Sequence, residues 1–345
     1  DKWIGGFVGL ISSNPNITVI ISNSINDGNV TGKNQAGGFI GLVSSNPNMT
    51  LIISNSINNG NVTGNNHVGG FVGFICGNPV MTLTVSNSTN SGIVTGNNHI
   101  GGFVGSIYNN TNMTVVISNY TSHGSVTGGN NIGGFVGIIE GNTNMTMTIS
   151  NSTNNGNESG NDMCVGGFVG IICVNNDMIM CVSNYTNNGN VFGKQYNVGG
   201  FSGHFQSNTN VTMTISNSIN NGNVTGQSGF VGGFVGDIYS ETEIQSTFVS
   251  TTSSANKGSV SAAEGIACGF VCVNTQNNGN VKTTVKNSIN KGNVSGGTNG
   301  YGITNIITEA RNVVSMGDVT GSFGSYTFWG ASTDVDLLYG LDDNC

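Results

Sequence analysis

Apolar and polar residues alternate along short stretches of this chain. In residues 16–24, Ile17, Val19 and Ile21 fall on one face of an extended segment, and the residues between them, beginning with Thr18, fall on the other. A period of two residues indicates a β-strand. The inward positions stay apolar in later copies of the segment, whereas the Thr18 position stays mostly threonine and is predicted to face water. The first inward column is Ile17, Met49, Met81, Met113, Met145, Met178 and Val211.

The alternating segment belongs to a repeat marked by phenylalanine. The intervals between successive marker phenylalanines are 32, 32, 32, 32, 33, 33, 33 and 36 residues. Self-similarity at such a period indicates a solenoid, a propeller or another array. The markers are Phe7, Phe39, Phe71, Phe103, Phe135, Phe168, Phe201, Phe234 and Phe270.

Each repeat contains two further predicted strands. Residues 5–11 place Phe7 and Ile11 on one face, and residues 28–32 point Val30 inward. Turn-forming clusters separate the three strands. We therefore predict an all-β fold, a single-stack parallel β-solenoid or right-handed β-helix, with about ten coils of 32–36 residues and about 4.8 Å of rise per coil. A propeller is disfavoured because its blades need about 40–50 residues.

The repeat weakens toward the end of the chain. We predict a solenoid over residues 1–321, irregular from about residue 237, followed by an aromatic, acidic and aperiodic segment at 322–345. This last segment is expected to be a C-terminal cap or the start of another module, since repeat arrays need an atypical end. The chain opens with Asp1, and no cap precedes Trp3. We therefore expect a longer parent chain or head-to-tail stacking.

Charge is scarce in the composition. Only 7% of the 345 residues are charged, 56 are glycine and the formal net charge is −8. No basic cluster suits a nucleic acid, and no apolar run is long enough for a membrane-spanning helix. The sequence therefore favours neither a nucleic-acid partner nor a membrane span in this segment, and it suggests no cofactor.

Stacked coils explain the scarcity of charge. A charge repeated in every coil would lie about 4.8 Å from its copy, at a cost of about 0.9 kcal/mol per pair even in water. Asparagine avoids this repulsion because its side chain both donates and accepts hydrogen bonds, and it can form ladders between stacked strands. We expect a buried ladder of Asn23, Asn55, Asn87, Asn119, Asn151, Asn184 and Asn217.

The repeat also resembles a known family. The stretch GNVTGNNHVGGFVG at residues 60–73 resembles the GLUG repeat of bacterial surface and secreted proteins, although Phe71 stands where the family name has leucine. The resemblance extends over about nine repeats, from residue 5 to roughly 295. It implies an extracellular, adhesin-like β-solenoid without catalytic residues. The asparagine-rich repeat, with its many sequons, also resembles repetitive surface glycoproteins of protists.

Glycosylation sequons, Asn-X-Ser/Thr, are dense in the chain. We count fifteen, and a repeat rich in asparagine and threonine also produces them by chance. Five share one corner that strand parity places outside the coil, and we expect glycans on several of them. They are Asn16, Asn48, Asn112, Asn144 and Asn210.

A column of β-branched residues follows the phenylalanine marker. Strict alternation would place it outside the coil, where it would form a lateral interface for self-association. The alternative is that the neighbouring glycines distort the strand and turn the column inward. The column is Val8, Ile40, Val72, Val104, Val136, Val169 and Val235.

The seven cysteines show no metal-binding spacing. Cys173 and Cys181 flank one corner of a coil and are a possible disulfide. Cys268 and Cys272 would lie about 13 Å apart in an extended strand, too far to pair. The other three, Cys76, Cys164 and Cys345, have no obvious partner.

No constellation of residues favours catalysis. The acidic residues are dispersed, the one arginine is Arg311, and His67 and His99 occupy equivalent turns that we expect to be exposed. We therefore expect a non-enzymatic extracellular structural or adhesive glycoprotein, a rod-like spacer or filament subunit. Its partners would be copies of itself, other surface or matrix proteins, or glycans. A carbohydrate-binding or carbohydrate-processing β-helix is the alternative, and a glycan array would separate the two.

Overall fold

The computed structural model describes residues 3–240, 246–274 and 280–326, together with the backbone strand Asp334–Gly340. The secondary structure in these ranges is all β, and no helix in them could cross a membrane. The chain winds through four sheets in each coil, which we number in chain order.

The strands fall into these four sheets as follows. Sheet 1 contains Trp3–Gly5, Gln35–Gly37, Asn66–Gly69, Asn98–Gly101, Asn130–Gly133, Val165–Gly166, Val198–Gly199, Phe230–Gly232, Ile266–Cys268, Asn299–Tyr301 and Gly324–Tyr326. Sheet 2 contains Val8–Ser12, Ile40–Ser44, Val72–Cys76, Val104–Tyr108, Val136–Glu140, Val169–Cys173, Ser202–Gln206 and Val235–Tyr239. Sheet 3 has long strands at Thr18–Ser22, Met49–Ser54, Pro79–Ser86, Thr111–Ser118, Thr143–Ser150, Asn176–Ser183, Thr209–Ser216, Ser246–Thr252, Asn280–Asn290, Glu309–Ser315 and Asp334–Gly340. Its short strands are Ile25–Asn26, Ile57–Asn58, Thr89–Asn90, Thr121–Ser122, Thr153–Asn154, Thr186–Asn187, Ile219–Asn220 and Ala255–Asn256. Sheet 4 contains Val30–Thr31, Val62–Thr63, Val94–Thr95, Val126–Gly128, Glu158–Gly160, Val191–Gly193, Val224–Gly226, Val260–Ala262, Val294–Gly296 and Val319–Gly321.

Neighbouring strands pair in parallel, one repeat apart. Val72, for example, pairs with Ile40 below it and with Val104 above it. This register confirms the predicted parallel β-solenoid. A regular coil carries five strands where three were expected, because the predicted strand at 5–11 bends at Gly6 and Phe7 and a short strand follows the long one in sheet 3. The right hand of the winding stays a prediction.

The interior holds two separate apolar cores. The larger lies between sheets 2 and 3 and contains the phenylalanine markers from Phe39 onward, with the inward columns that include Met49, Leu51 and Ile53. The first marker, Phe7, lies in the end coil and is 49% exposed. The smaller lies between sheets 4 and 1, and its columns include Val30 and Val62 from sheet 4 and Ala36 and Val68 from sheet 1. The predicted inward positions are therefore confirmed. In the first coil Ile17 and Val19 are only partly buried, because the core covers them on one side.

A column of buried asparagines lies between the two cores. Each asparagine donates from Nδ2 to Oδ1 of the asparagine in the next coil at 2.7–2.8 Å, except where Ser122 interrupts the series and at the last member, Asn290, which donates to Ser315 Oγ at 3.3 Å. Nδ2 also donates to a glycine carbonyl two residues ahead, as Asn58 does to Gly60 at 2.8 Å. We call this column the inner ladder. It contains Asn26, Asn58, Asn90, Ser122, Asn154, Asn187, Asn220, Asn256 and Asn290.

The inner ladder explains the paired glycines before each phenylalanine. A Cβ on Gly37 would overlap the carbonyl oxygen of Ile40, so the first glycine permits the tight corner between sheets 1 and 2. A Cβ on Gly38 would lie 2.6 Å from Oδ1 of Asn58, so the second glycine makes room for the ladder. The repeated asparagine and the repeated glycine pair are therefore two halves of one packing arrangement.

A second buried asparagine column lies at the corner between sheets 2 and 3. Each Oδ1 accepts hydrogen bonds from both the backbone N–H and the side-chain Nδ2 of its neighbour, as Asn78 Oδ1 does from Asn46 at 2.9 and 3.1 Å. The column satisfies polar groups that would otherwise be unpaired in a dry interior. It contains Asn46, Asn78, Asn110, Asn142, Asn175 and Asn208.

The predicted burial of the Asn23 column is wrong. Its members are exposed, and each adopts a left-handed backbone with φ between 48° and 52° at the corner after the long strand of sheet 3. Asparagine tolerates this conformation better than most residues. Neighbours still bond to each other, as Asn119 Nδ2 donates to Asn87 Oδ1 at 3.0 Å. The ladder exists, but it lies on the surface. The corrected column is Asn23, Asn55, Asn87, Asn119, Asn151, Asn184 and Asn217.

The regular pattern changes toward the C-terminal end. Sheet 2 ends its described ladder at Val235–Tyr239, near the predicted onset of irregularity at residue 237. The other ladders continue, and the strands Gly324–Tyr326 and Asp334–Gly340 still pair in parallel with the coil before them. Parallel stacking therefore extends beyond the boundary predicted at residue 321. The rest of the predicted cap, 327–333 and 341–345, lies outside the described residues.

Candidate interaction face and modification sites

The column predicted as a lateral interface is buried. Ile40, Val72, Val104, Val136, Val169 and Val235 have no exposed surface, and Val8 packs partly buried against the larger core. The prediction is wrong because the chain turns at the glycine pair, so the phenylalanine and the residue after it both point inward. The alternative, that the glycines turn the column inward, is confirmed.

Most of the outer face of sheet 2 is also covered, although Leu10 and Tyr108 on this face are 40% and 36% exposed. The ring of His67 stacks on Phe74 with 4.1 Å between centroids, and its Nδ1 lies 2.6 Å from Ser106 Oγ. Farther along, Asn197 Nδ2 donates to Asp237 Oδ2 at 3.1 Å. Side chains at the start of sheet 1 therefore lie over this face, and a strand covered on both sides reads as an unbroken apolar run.

Among the described residues, the outer face of sheet 3 is a broad surface that no other part of the chain covers. Three columns project from its first eight long strands, and these columns define what we call the sheet-3 face. The first column is Thr18, Thr50, Thr82, Thr114, Thr146, Ile179, Thr212 and Phe248. The second is Ile20, Ile52, Thr84, Val116, Thr148, Cys181, Thr214 and Ser250. The third is Ser22, Ser54, Ser86, Ser118, Ser150, Ser183, Ser216 and Thr252.

The three columns of the sheet-3 face carry no charge over these eight strands, and they contain exposed apolar residues. The nearest acid in these strands is Asp177, which is exposed two residues before Ile179 in the strand Asn176–Ser183. Ile20 is 62% exposed and Ile179 is 51% exposed. The next strands end the uncharged zone, since Lys286 lies 2.8 Å from Glu309 and Arg311 lies 2.9 Å from it. An uncharged patch with a charged border is typical of a contact surface.

The predicted glycosylation corner is exposed, as strand parity indicated, but its amides are engaged. Asn48 Nδ2 donates to Asn16 Oδ1 at 2.7 Å, and Asn144 Nδ2 donates to Asn112 Oδ1 at 2.6 Å. Asn210 Nδ2 donates to Asp177 Oδ1 at 2.6 Å. Glycosylation of this corner stays a prediction, and a sugar on these nitrogens would meet the neighbouring coil.

His67 and His99 stack on each other, with 5.0 Å between ring centroids. They are half-buried, not exposed as the sequence suggested, because sheet 2 packs against them. Burial, reinforced by the charge of His99, lowers the pKa of His67 to about 4, and burial also lowers the pKa of His99. Both rings are therefore neutral near pH 7 and serve packing.

The predicted Cys173–Cys181 disulfide is wrong, since both thiols are free and Cys173 is buried while Cys181 is exposed. Cys268 and Cys272 form a disulfide instead, with their Cα atoms 5.5 Å apart. The distance predicted for an extended strand does not apply because the chain bends between them at Gly269. Cys268 replaces the first glycine of the corner, at the position of Gly232 in the coil below. Cys76 and Cys164 are free, and Cys345 lies outside the described residues.

One coil has a buried carboxyl group in its interior. Glu158 stands in the valine column of sheet 4, between Val126 and Val191, with 1% of its surface exposed. Asn154 Nδ2 donates to its Oε1 at 3.0 Å, whereas its Oε2 has no partner in the described residues. Burial raises the pKa of the Glu158 carboxyl well above its usual value. Oγ of Ser122 and Oδ1 of Asn154 are also buried without partners.

Among the described residues, no three histidine, cysteine, aspartate or glutamate side chains lie close enough to hold a metal ion. No family model, no curated protein and no solved structure matches the chain.

Proposed function

We propose that the chain is a non-enzymatic extracellular structural rod that binds a second copy of itself through the sheet-3 face. The observation that carries this proposal is the absence of charge in the three columns of that face over eight stacked strands. The other broad sheet, sheet 2, is covered on its inner face and on most of its outer face. The resemblance to GLUG surface repeats is consistent with this role.

A second copy fits the sheet-3 face because it has the same spacing. Both partners repeat every coil, at about 4.8 Å, so rows of side chains can interdigitate along the whole length as they do between stacked sheets. Eight strands and three columns cover about 34 Å by 20 Å, or about 700 Å² per partner. This area is close to the roughly 800 Å² that each partner buries in a standard interface.

The disulfide supports the extracellular part of the proposal. Cys268 and Cys272 are bonded across the corner between sheets 1 and 2, and both side chains are fully buried. Disulfides persist in oxidising compartments and are rare in the cytosol.

Charge on the sheet-3 face should abolish self-association. Thr82→Lys with Thr146→Lys places two ammonium groups two coils apart, where their own repulsion is small, and each would be buried without a partner in a paired rod. We expect sedimentation velocity to show dimers or larger species for the native chain, and at least tenfold weaker association for the double variant.

The matched control puts the same charge on another face. Thr63 and Thr127 are exposed on sheet 4 and are also two coils apart, so Thr63→Lys with Thr127→Lys should associate as the native chain does. Equal loss in both double variants, or a native chain that stays monomeric up to high micromolar concentration, would contradict the proposed interface.

A further inference from the structure

The sequons occupy several different corners of the coil, and the corners differ in what the asparagine side chain does. At the corner before sheet 4, the side-chain oxygen accepts from the backbone N–H of the next coil. Asn157 Oδ1 accepts from Asn190 at 2.8 Å, Asn223 Oδ1 from Ser259 at 3.0 Å, and Asn293 Oδ1 from Asp318 at 3.1 Å.

These hydrogen bonds fix the amide plane and leave the nitrogen on the solvent side. Asn157, Asn223 and Asn293 are exposed, and within the described ranges their Nδ2 atoms donate no hydrogen bond. A glycan is attached to this nitrogen, so the bond made by Oδ1 is kept when the sugar is added. At the Asn16 corner, in contrast, Nδ2 of Asn48, Asn144 and Asn210 holds the ladder together.

Spacing also favours the sheet-4 corner. In this column Asn190 separates Asn157 from Asn223, and Ser259 separates Asn223 from Asn293; neither intervening residue begins a sequon. Successive acceptors are therefore two coils, or about 9.6 Å, apart. Asn29 and Asn61 share the same side-chain geometry but lie in adjacent coils.

We propose that Asn157, Asn223 and Asn293 are the N-glycosylation sites of the folded rod, and that they form a line of glycans along the corner before sheet 4. The inference rests on the extracellular part of the proposed function, and it does not depend on self-association. The line lies at a different corner from the sheet-3 face, so glycans and a paired rod are compatible.

The test is site occupancy in the chain secreted from a eukaryotic host. Enzymatic removal of N-glycans in heavy-oxygen water converts each occupied asparagine to a labelled aspartate, which mass spectrometry of peptides locates. We expect occupancy of Asn157, Asn223 and Asn293 to be several-fold higher than that of Asn48, Asn144 and Asn210. Equal or greater occupancy of the second set, or no glycan on the first, would overturn the proposal.

Variants give an independent readout. The triple substitution Asn157→Gln, Asn223→Gln and Asn293→Gln should remove most of the glycan mass from the secreted chain, whereas Asn48→Gln, Asn144→Gln and Asn210→Gln should leave most of it. The opposite pattern would assign the glycans to the Asn16 corner. Because the host attaches the glycans, this result stands apart from the sedimentation test of the sheet-3 face.

Discussion

Replacing Asn187 with alanine is expected to lower the free energy of unfolding by about 3 to 5 kcal/mol. Asn187 Nδ2 donates to Asn220 Oδ1 at 2.8 Å and to the Gly189 carbonyl at 2.9 Å, and its own Oδ1 accepts from Asn154. The alanine variant leaves these buried groups unpaired, at a cost of about 1–3 kcal/mol each. Urea unfolding followed by circular dichroism measures the loss.

The neighbouring residue supplies the control. Asn188 is exposed and donates to Asn155 Oδ1 at 2.8 Å, so it belongs to a surface ladder of the same chemistry. Asn188→Ala should change the free energy of unfolding by no more than about 0.5 kcal/mol. Equal losses in the two variants would show that burial of the inner ladder does not matter.

Ser122→Asn should act in the opposite direction. Asparagine at this position would complete the inner ladder and give Asn154 Oδ1 the donor that it lacks. Because a buried hydrogen bond adds about 1 kcal/mol, the same urea experiment should show a gain of about 1–2 kcal/mol.

Replacing Glu158 with valine is expected to raise the free energy of unfolding at pH 7 by about 2 to 3 kcal/mol. The substitution restores the valine column of sheet 4 and removes the unpaired Oε2. Burial raises the pKa of Glu158, so the folded chain holds this proton above the pH at which the unfolded chain, with a carboxyl pKa of about 4.3, releases it. The contribution of Glu158 to the free energy of unfolding is therefore at its full value below about pH 4, and it declines as pH rises toward the pKa of the folded state.

The measurement is the difference in unfolding free energy between the Glu158→Val variant and the native chain from pH 4 to pH 8. We expect the difference to grow with pH. The lowered pKa values of His67 and His99 act in the opposite sense, since they destabilise the fold as pH falls, but both proteins contain them and their effect cancels. Glu158→Gln should remove the same titration while keeping the polar shape. A difference that does not change with pH would contradict a buried, protonated Glu158.

The sequence was sufficient to predict the parallel stack and the inward columns of its strands. Within a strand, alternate residues lie on opposite faces, so Met49, Leu51 and Ile53 could be assigned to the core from their spacing alone. The recurrence of the phenylalanine marker fixed the register, because coils of equal length place equivalent residues above each other.

Most of the errors lie at corners, where alternation does not continue. The bend at the glycine pair turned the Val72 column inward and brought Cys268 within bonding distance of Cys272. At the corner after the long strand of sheet 3, Asn55 is exposed and not buried as predicted, whereas Asn58, three residues later, is buried. The sequence did contain a signal for the buried column. The Asn58 column is interrupted only by Ser122, and each of its members lies two residues before a recurrent glycine.

The sheet-3 face could be predicted only in part from the sequence. The threonine column was correctly placed outside, but strand parity could not show that most of the outer face of sheet 2 is also covered. That covering depends on His67 and Asn197, which reach across from sheet 1. The sequence also cannot distinguish the two glycosylation corners, because every sequon has the same Asn-X-Ser/Thr pattern whichever way its side-chain amide points.

Hydrogen exchange of the asparagine side-chain amides tests the central claim most directly, since that claim is a dry ladder between two cores. In protein labelled with ¹⁵N-asparagine, the amide signals of Asn58, Asn90, Asn187 and Asn220 should persist for hours in heavy water, whereas those of Asn55, Asn87, Asn184 and Asn217 should disappear within minutes. Exchange of both sets at the same fast rate would contradict the two-core interior.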